Sequence, residues 1–136
     1  MPVDADILKT RISDIRSSIR ELQRLTSKPF VQLGIDERYS LRYNIIVLVE
    51  ALVSLCTHIA IEEYMKTPST YREAVQIVAE KIGLDCISEL ESLVGLRHLL
   101  VHRYWIIEDE KVYSAVKEDF KCVEEFLSRV EDVFLH

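Results

Sequence analysis

The feature of this sequence that most restricts its fold is a run of apolar residues spaced alternately four and three positions apart. The run begins at Leu41 and continues through Ile45, Leu48, Leu52, Leu55 and Ile59. This spacing keeps the residues on one face of an α-helix. Other apolar residues fill the neighbouring positions, so the helix, predicted from about residue 36 to residue 65, is apolar on most sides. We expect it in the centre of a helical bundle, and the polar residues that interrupt it argue against a membrane span.

Four more segments carry helical patterns of apolar residues. They run from about Leu8 to Leu22, from Pro68 to Gly83, from Asp85 to about Val101, and from Val112 to Phe134. The chain has only three glycines and three prolines and shows no strand pattern, which argues against an all-β or loop-rich protein. We therefore predict an all-α, up-and-down bundle of about five helices that forms a single domain over residues 1–136.

The cysteines and the N-terminus bear on the cellular compartment. Cys56, Cys86 and Cys122 are odd in number and far apart, with no C-x-x-C pair, so they predict reduced core thiols rather than a disulfide framework or a zinc site. The N-terminal residues lack the apolar stretch and cleavage site of a secretory signal. These observations predict a cytoplasmic protein with no membrane partner.

Charge is distributed unevenly along the chain. The net charge of −6 disfavours nucleic acid as a partner at first sight. No acid occurs between Glu91 and Glu108, however, and this interval contains the stretch GLRHLLVHRYW, residues 95–105. Two arginines, two histidines and a tyrosine lie within eight positions there: Arg97, His98, His102, Arg103 and Tyr104. A local positive site on an acidic protein is therefore possible.

Helical geometry restricts how these side chains can meet. Arg97 and Tyr104 differ by only about 20° around an ideal helix and share a face, whereas His102 points about 140° away from Arg97. All three can converge only if the helix ends or distorts near Val101 and His102, or if a second chain completes the site.

An arginine and a histidine without a carboxylate suit phosphate chemistry. The guanidinium fork binds phosphate oxygens at any relevant pH, and an imidazole transfers protons near neutrality. RNA supplies its own nucleophile, the 2′-hydroxyl, so this chemistry requires neither a metal nor a cofactor. Two other interpretations remain open. In the first, His98 and His102 bind zinc, since they have the i, i+4 spacing of zinc ligands, although the H-E-x-x-H glutamate is missing. In the second, the histidines only form hydrogen bonds at a helix end.

The pattern Arg-x4-His-x-Tyr, formed by Arg97, His102 and Tyr104, resembles the signature of the HEPN superfamily, and most closely that of its HepT-like branch. Three longer segments are also similar to helices of this family: RYNIIVLVEALVSLCTHI (42–59), TYREAVQIVAEKIGL (70–84) and LESLVGLRHLLVHRYWIIEDEKVY (90–113). The resemblance covers roughly residues 5 to 132. One position departs from the family, where Asn, Asp or another polar residue most often follows the motif arginine and this chain has His98.

The resemblance implies an α-helical homodimer in which the two motifs meet in a cleft between the protomers. It implies that Arg97 stabilises charge on the phosphate and that His102 accepts or donates the proton. It also implies that Tyr104 positions the RNA and is adenylylated by a partner of the minimal nucleotidyltransferase (MNT) type, the antitoxin encoded beside such toxins. An attached AMP would oppose RNA entry by charge and by volume.

Several other residues are accessory candidates. His98 and Arg103 neighbour the motif residues, and Glu50, in the long apolar helix, would be costly to bury unpaired. Arg42, two turns away in the same helix, and Arg97 are its conceivable partners. His58 is a lone histidine in an apolar helix, so we expect it to be buried with its hydrogen bonds satisfied. We expect Trp105 to lie in the core or in a dimer interface.

Our primary hypothesis is therefore a metal-independent RNA endonuclease toxin that needs no cofactor. It would act as a homodimer and be neutralised by adenylylation of Tyr104. The alternative, which the net charge fits better, is a non-catalytic subunit that binds the nucleotidyltransferase and a nucleotide.

Overall fold

The computed structural model describes residues 3–117 and 120–135, which form an α-helical bundle without a β-strand in those two ranges. The helices are α1 (Ala5–Thr26), α2 (Ile35–Tyr64), α3 (Tyr71–Lys81), α4 (Ile87–His102), α5 (Asp109–Lys117) and α6 (Lys121–Phe134), and one 3-10 turn spans Phe30–Gln32. The predicted all-α fold is confirmed, with one helix more than the five expected.

The long helix α2 is the centre of the bundle. All six residues of its apolar stripe, from Leu41 to Ile59, are almost fully buried, and α1, α3, α4 and α5 pack around them. Its 30 residues and a mean hydropathy of 2.0 over 18 residues would suit a membrane span, but the six residues of the stripe are covered by other helices. The predicted core helix is confirmed, and truncating one such leucine to alanine costs about 2–5 kcal/mol.

Side chains fix the beginnings and ends of the helices around α2. The carboxylate of Asp4 accepts hydrogen bonds from the N–H groups of Asp6 and Ile7 and caps α1, and the Thr70 hydroxyl caps α3. Beyond the end of α3, Gly83 has a φ of 74°, which favours glycine and turns the chain away from the helix. The backbone N–H of Asp4 donates to Nε2 of His58 at 2.9 Å, so the expected hydrogen bond of His58 is confirmed, but the residue is half-buried rather than buried.

The last predicted helix is in fact two helices. Apolar residues repeat without a change of phase from Val112 to Phe134, yet α5 ends at Lys117 and α6 begins at Lys121. Residues 118 and 119, on which the prediction of one continuous helix also falls, lie outside the described residues. α5 packs on α1 and α2, and α6 packs on α4. α6 also contacts α1 through the ion pair of Glu131 with Arg16, and α2 through the ring contact of Phe134 with Tyr64.

The prediction of three reduced thiols is wrong for two of them. Cys86 and Cys122 form a disulfide, with their Cα atoms 6.0 Å apart. Cys86 directly precedes α4 and Cys122 lies in the first turn of α6, so the packing of these two helices brings together residues that are 36 positions apart in the sequence. Cys56 is a free, buried thiol, as expected.

Candidate active site at the end of α4

The motif residues occupy the last two turns of α4 and the turn that follows. α4 ends at His102, and the N–H of Arg103 donates to the carbonyl of Leu99 at 2.8 Å. The N–H of Ile106 then donates to the carbonyl of Arg103 and closes a turn that carries Tyr104. The helix therefore ends where convergence of the three motif side chains requires it to end.

Arg97 is held from two sides by residues of other helices. Its Nε lies 2.7 Å from Oε1 of Glu50 in α2, an ion pair in which the N–H bond does not point at the carboxylate. Its Nη2 donates to the hydroxyl of Tyr71 in α3 at 3.4 Å, and its guanidinium carbon lies 4.6 Å from the centre of the Tyr71 ring. The Arg97 side chain is 14% exposed and that of Glu50 is 43% exposed. Of the two partners for Glu50 that the sequence suggested, Arg97 is therefore the one that pairs with it.

Tyr71 joins the two charged residues. Its hydroxyl lies 2.9 Å and 3.1 Å from the two carboxylate oxygens of Glu50 and donates its hydrogen bond to them. Burial raises the pKa of Tyr71, and the hydrogen bond and negative charge of Glu50 raise it further. Tyr71 is therefore protonated at neutral pH and connects the carboxylate of α2 to the guanidinium of α4.

His98 extends this arrangement toward His102. Its Nδ1 lies 3.1 Å from Nη1 of Arg97. Since arginine has only donors, Nδ1 accepts and the ring carries its proton on Nε2. Burial lowers the pKa of His98, and the positive charges of Arg97, His102 and Arg72 lower it further. The His98 ring centre lies 6.0 Å from that of His102. We call Glu50, Tyr71, Arg97 and His98 the Arg97 cluster.

An open depression of about 540 Å³ adjoins the Arg97 cluster, and we call it the α4 groove. Its lining residues come from α3, from α4 and from the residue after α4: Arg72, Gly95, His98, Leu99, His102 and Arg103. Both imidazoles therefore face one concave surface, and His98 belongs to the groove and to the Arg97 cluster.

Tyr104 lies apart from the Arg97 cluster within one chain. Its side chain is 61% exposed, and its ring contacts Trp105 edge to face with centres 5.2 Å apart. Trp105 is itself 69% exposed, so the alternative that placed it in the core of this chain is wrong.

Arg42 contacts the segment around Tyr104 and does not pair with Glu50. Its Nε pairs with the Asp109 carboxylate at 2.5 Å, and its two Nη atoms donate to the carbonyls of Tyr104 and Ile107 at 3.1 Å and 2.8 Å. The idea that Arg42 partners Glu50 is therefore wrong, because its guanidinium is occupied by the segment after α4.

The zinc alternative has little support from the residues near His98 and His102. Among the described residues, one group of His, Cys, Asp or Glu side chains is compact enough to hold a metal ion: Cys86, Glu89 and Cys122, with ligand atoms within 4.8 Å of one another. This group does not include either histidine, and its two cysteines are in the disulfide. A zinc site at His98 and His102 would need a third ligand from another chain.

Sequence reasoning missed Tyr71 and Arg72. Both occur in the segment predicted as the third helix, but the apolar pattern of a helix does not tell which polar residues face a neighbouring helix. Contacts from Tyr71 to Arg97 and from Arg72 to the groove depend on the packing of α3 against α4.

Comparison with known proteins identifies the family of this chain. Residues 9–130 match the family described as ribonuclease HepT-like. The mRNA nuclease HepT of Shewanella oneidensis is 23% identical over 130 residues, which cover 93% of this chain and 97% of the relative.

Two solved structures show the same fold. A tri-AMPylated HEPN toxin of Shewanella oneidensis in complex with an MNT antitoxin superposes with a TM-score of 0.83 at 20% identity, covering 95% of this chain and 99% of that one. YutE of Bacillus subtilis, described as a cytosolic protein of unknown function, gives a TM-score of 0.78 at 19% identity and covers 96% of this chain and 90% of that one. Since the family match extends over most of the sequence and over every element of the site, this chain belongs to the HepT-like ribonuclease family.

Proposed function

We propose that this protein is a metal-independent endoribonuclease toxin that a nucleotidyltransferase antitoxin neutralises in the cytoplasm. In the proposed reaction the 2′-oxygen of RNA bonds to the adjacent phosphorus while the bond from phosphorus to the 5′-oxygen breaks. A base takes the proton of the 2′-hydroxyl, and an acid gives one to the departing oxygen. The products are a 2′,3′-cyclic phosphate and a 5′-hydroxyl. Membership of a ribonuclease family supports this class of reaction.

The observation that carries the proposal is the fixed position of Arg97 beside the imidazole of His98, whose ring centre lies 6.0 Å from that of His102. A guanidinium has five N–H donors. Nη1 and Nη2 of Arg97 each donate one hydrogen bond, to His98 and to Tyr71, and Nε lies in the ion pair with Glu50. One N–H on each Nη is left for a phosphate oxygen. A donor that is already oriented can stabilise developing charge without reorganising during the reaction. We assign this role to Arg97 and proton transfer to His102.

His102 and Tyr104 complete the proposed site from the end of α4. His102 is exposed and lines the α4 groove, where a substrate can reach it. Tyr104 is exposed enough to enter the active site of a transferase. In a homodimer the second protomer could bring its own motif to the Arg97 cluster, as the HEPN resemblance implies. We further propose that residues 1–136 act as one domain.

Cleavage assays on variants test the reaction. Arg97→Gln and His102→Ala proteins, with folding checked by circular dichroism, should cleave single-stranded RNA at least about 100-fold more slowly than wild type, since each loses a transition-state contact. Arg20→Gln removes an exposed charge from α1 and serves as the matched control. Cleavage in EDTA that yields a cyclic phosphate is expected. Equal rates in wild type and both site variants would refute the enzymatic role.

Modification of Tyr104 is tested by intact-mass analysis after incubation with the partner transferase and ATP. The wild-type protein should gain AMP, and Tyr104→Phe should not. Tyr39→Phe, which alters a tyrosine of nearly equal exposure, should gain as much as wild type. A Tyr104→Phe protein that still gains the full mass would move the modification to another residue.

A second function, a non-catalytic subunit that binds the transferase, is favoured by the ion pair between Arg97 and Glu50. A guanidinium already compensated by a carboxylate attracts phosphate less strongly, and the net charge of −6 acts in the same direction. A stoichiometric complex with the transferase and no cleavage by the free protein would favour this function over the first.

A further inference from the structure

We propose that Arg72 and Arg103 form a phosphate-binding subsite for RNA, next to the phosphate that is cleaved. The proposal rests on the function proposed above and adds a second point of contact with the substrate. It concerns the α4 groove, whose lining includes both arginines and both imidazoles but does not include Arg97. The groove therefore offers room for the nucleotide beside the scissile bond.

The two arginines differ from the other eight in the chain. Each of the other eight contacts a carboxylate, a hydroxyl, a carbonyl or an aromatic ring. Arg72 and Arg103 are exposed, and neither guanidinium has an ion pair, a hydrogen bond or a ring contact with any residue in 3–117 or 120–135. Both residues line the same concave surface, Arg72 from α3 and Arg103 from the position after α4. Two free guanidinium groups in one groove predict an anionic ligand.

Gly95 leaves room on the surface of α4 for the guanidinium of Arg72. A Cβ at this position would lie 3.4 Å from Nη2 of Arg72, at the near limit of ordinary van der Waals contact. A glycine in the middle of a helix costs about 1 kcal/mol relative to alanine. The side chain of Arg72 lies over the helix surface that the glycine leaves open, so α4 accommodates the guanidinium at this point.

The local electrostatic field has the sign that a phosphate requires. No acid lines the groove, and no acid occurs in the sequence between Glu91 and Glu108. The positive charges of Arg97, His102 and Arg72 lower the pKa of His98, the residue between the groove and the Arg97 cluster. An RNA strand whose cleaved phosphate lies at Arg97 and His102 could therefore place its next phosphate between Arg72 and Arg103.

Binding of an uncleavable RNA tests the subsite without depending on catalysis. The probe is a hexanucleotide with 2′-O-methyl riboses, which lacks the nucleophile, and its Kd is measured on the full-length protein at several salt concentrations. Arg72→Gln and Arg103→Gln should each weaken binding about tenfold, since each removes a charge-assisted contact. Each should also reduce the slope of log K against log salt by about 0.7, the value for one phosphate of a single strand. Arg20→Gln, with the same change in charge, should leave Kd and slope within about twofold of wild type.

Cleavage of two substrates provides the second readout. A dinucleotide has only the phosphate that is cleaved, so Arg72→Gln should lower its kcat/KM much less than that of a longer substrate. A hexanucleotide has neighbouring phosphates, and Arg72→Gln should raise its KM about tenfold with little change in kcat. A purely structural role of Arg72 would instead lower the cleavage of both substrates.

The outcomes separate this proposal from the one on which it rests. Salt-dependent binding that requires Arg72, in a protein that cleaves no RNA, would end the proposed nuclease function and leave the subsite standing. Cleavage by wild type, with unchanged Kd, slope and KM in both variants, would overturn the subsite alone. Equal losses in Arg20→Gln, no binding of the hexanucleotide, or losses confined to binding of the transferase would also overturn it.

Discussion

At the scale of single residues, Tyr71 offers the sharpest test of how Arg97 is held. Its ring lies under the guanidinium and its hydroxyl binds Glu50, so Tyr71→Phe keeps the ring contact and loses the hydrogen bond. We expect kcat to fall about fivefold in Tyr71→Phe and roughly 100-fold in Tyr71→Ala, which also loses the ring. Steady-state cleavage of a dinucleotide measures both. Equal losses in the two variants would show that the ring does not orient Arg97, and Tyr39→Phe is the control for an exposed tyrosine.

His98 predicts a pH dependence of stability. Its pKa in the folded protein is lowered below the ordinary value of about 6.5. The unfolded chain therefore binds more protons between the two pKa values, and folding stability falls as pH decreases through that window. His98→Asn, which has the residue type more usual in the family, should lack this part of the decrease. Denaturant unfolding at about pH 7.5 and about pH 5.5 measures it. An equally steep decrease in the variant would contradict the assignment.

How much of the site the sequence could predict differs from residue to residue. Arg97, His98 and His102 could be proposed because they lie close together in one acid-free stretch. The partnership of Glu50 with Arg97 could be offered only as one of two choices, because a carboxylate in an apolar helix predicts a cationic partner but does not specify which one. Tyr71 and Arg72 could not be predicted at all, since their roles depend on which face of α3 meets α4.

At the scale of elements, apolar periodicity predicted α1 to α4 because each buries apolar residues at helical spacing against its neighbours. The same signal failed at α5 and α6, where the pattern keeps its phase across the break between two helices. The disulfide escaped prediction for a related reason. Sequence spacing describes neighbours along the chain, whereas Cys86 and Cys122 are neighbours only through the packing of α6 on α4.

The disulfide between the start of α4 and the start of α6 predicts a measurable effect of reduction. It closes a loop of 36 residues, for which chain entropy gives about 4 kcal/mol of stabilisation. Dithiothreitol should lower the free energy of unfolding of the wild-type protein by roughly that amount. Cys122→Ser should be equally destabilised and insensitive to the reductant, whereas Cys56→Ala should keep the sensitivity. Full stability of Cys122→Ser relative to the oxidised wild type would refute this.

At the scale of the whole molecule, two kinds of surface meet at the end of α4. The α4 groove is cationic and lacks acids. Exposed apolar side chains occur in its lining, at Leu99, and near it in the sequence, at Val101, Trp105 and Ile106. A tryptophan exposed to water next to a polar site does not stabilise a monomer. Contiguous exposed apolar residues mark interaction surfaces. This arrangement fits the homodimer with a cleft between protomers that the sequence led us to expect.

Sedimentation and activity together test that dimer. The wild-type protein should sediment at twice the mass of one chain, and Trp105→Ser should weaken association at least about 30-fold, since buried interface tryptophans contribute about 2 kcal/mol or more. Val31→Ser removes an exposed apolar residue from the 3-10 turn instead and should leave association unchanged. If the cleft brings Arg97 of one protomer to groups of the other, activity per chain should fall on dilution as the dimer dissociates. In Trp105→Ser this loss should begin at a higher protein concentration than in wild type. A monomer that cleaves RNA as fast as the wild-type assembly would place the complete site within one chain and would leave the exposed tryptophan to another partner.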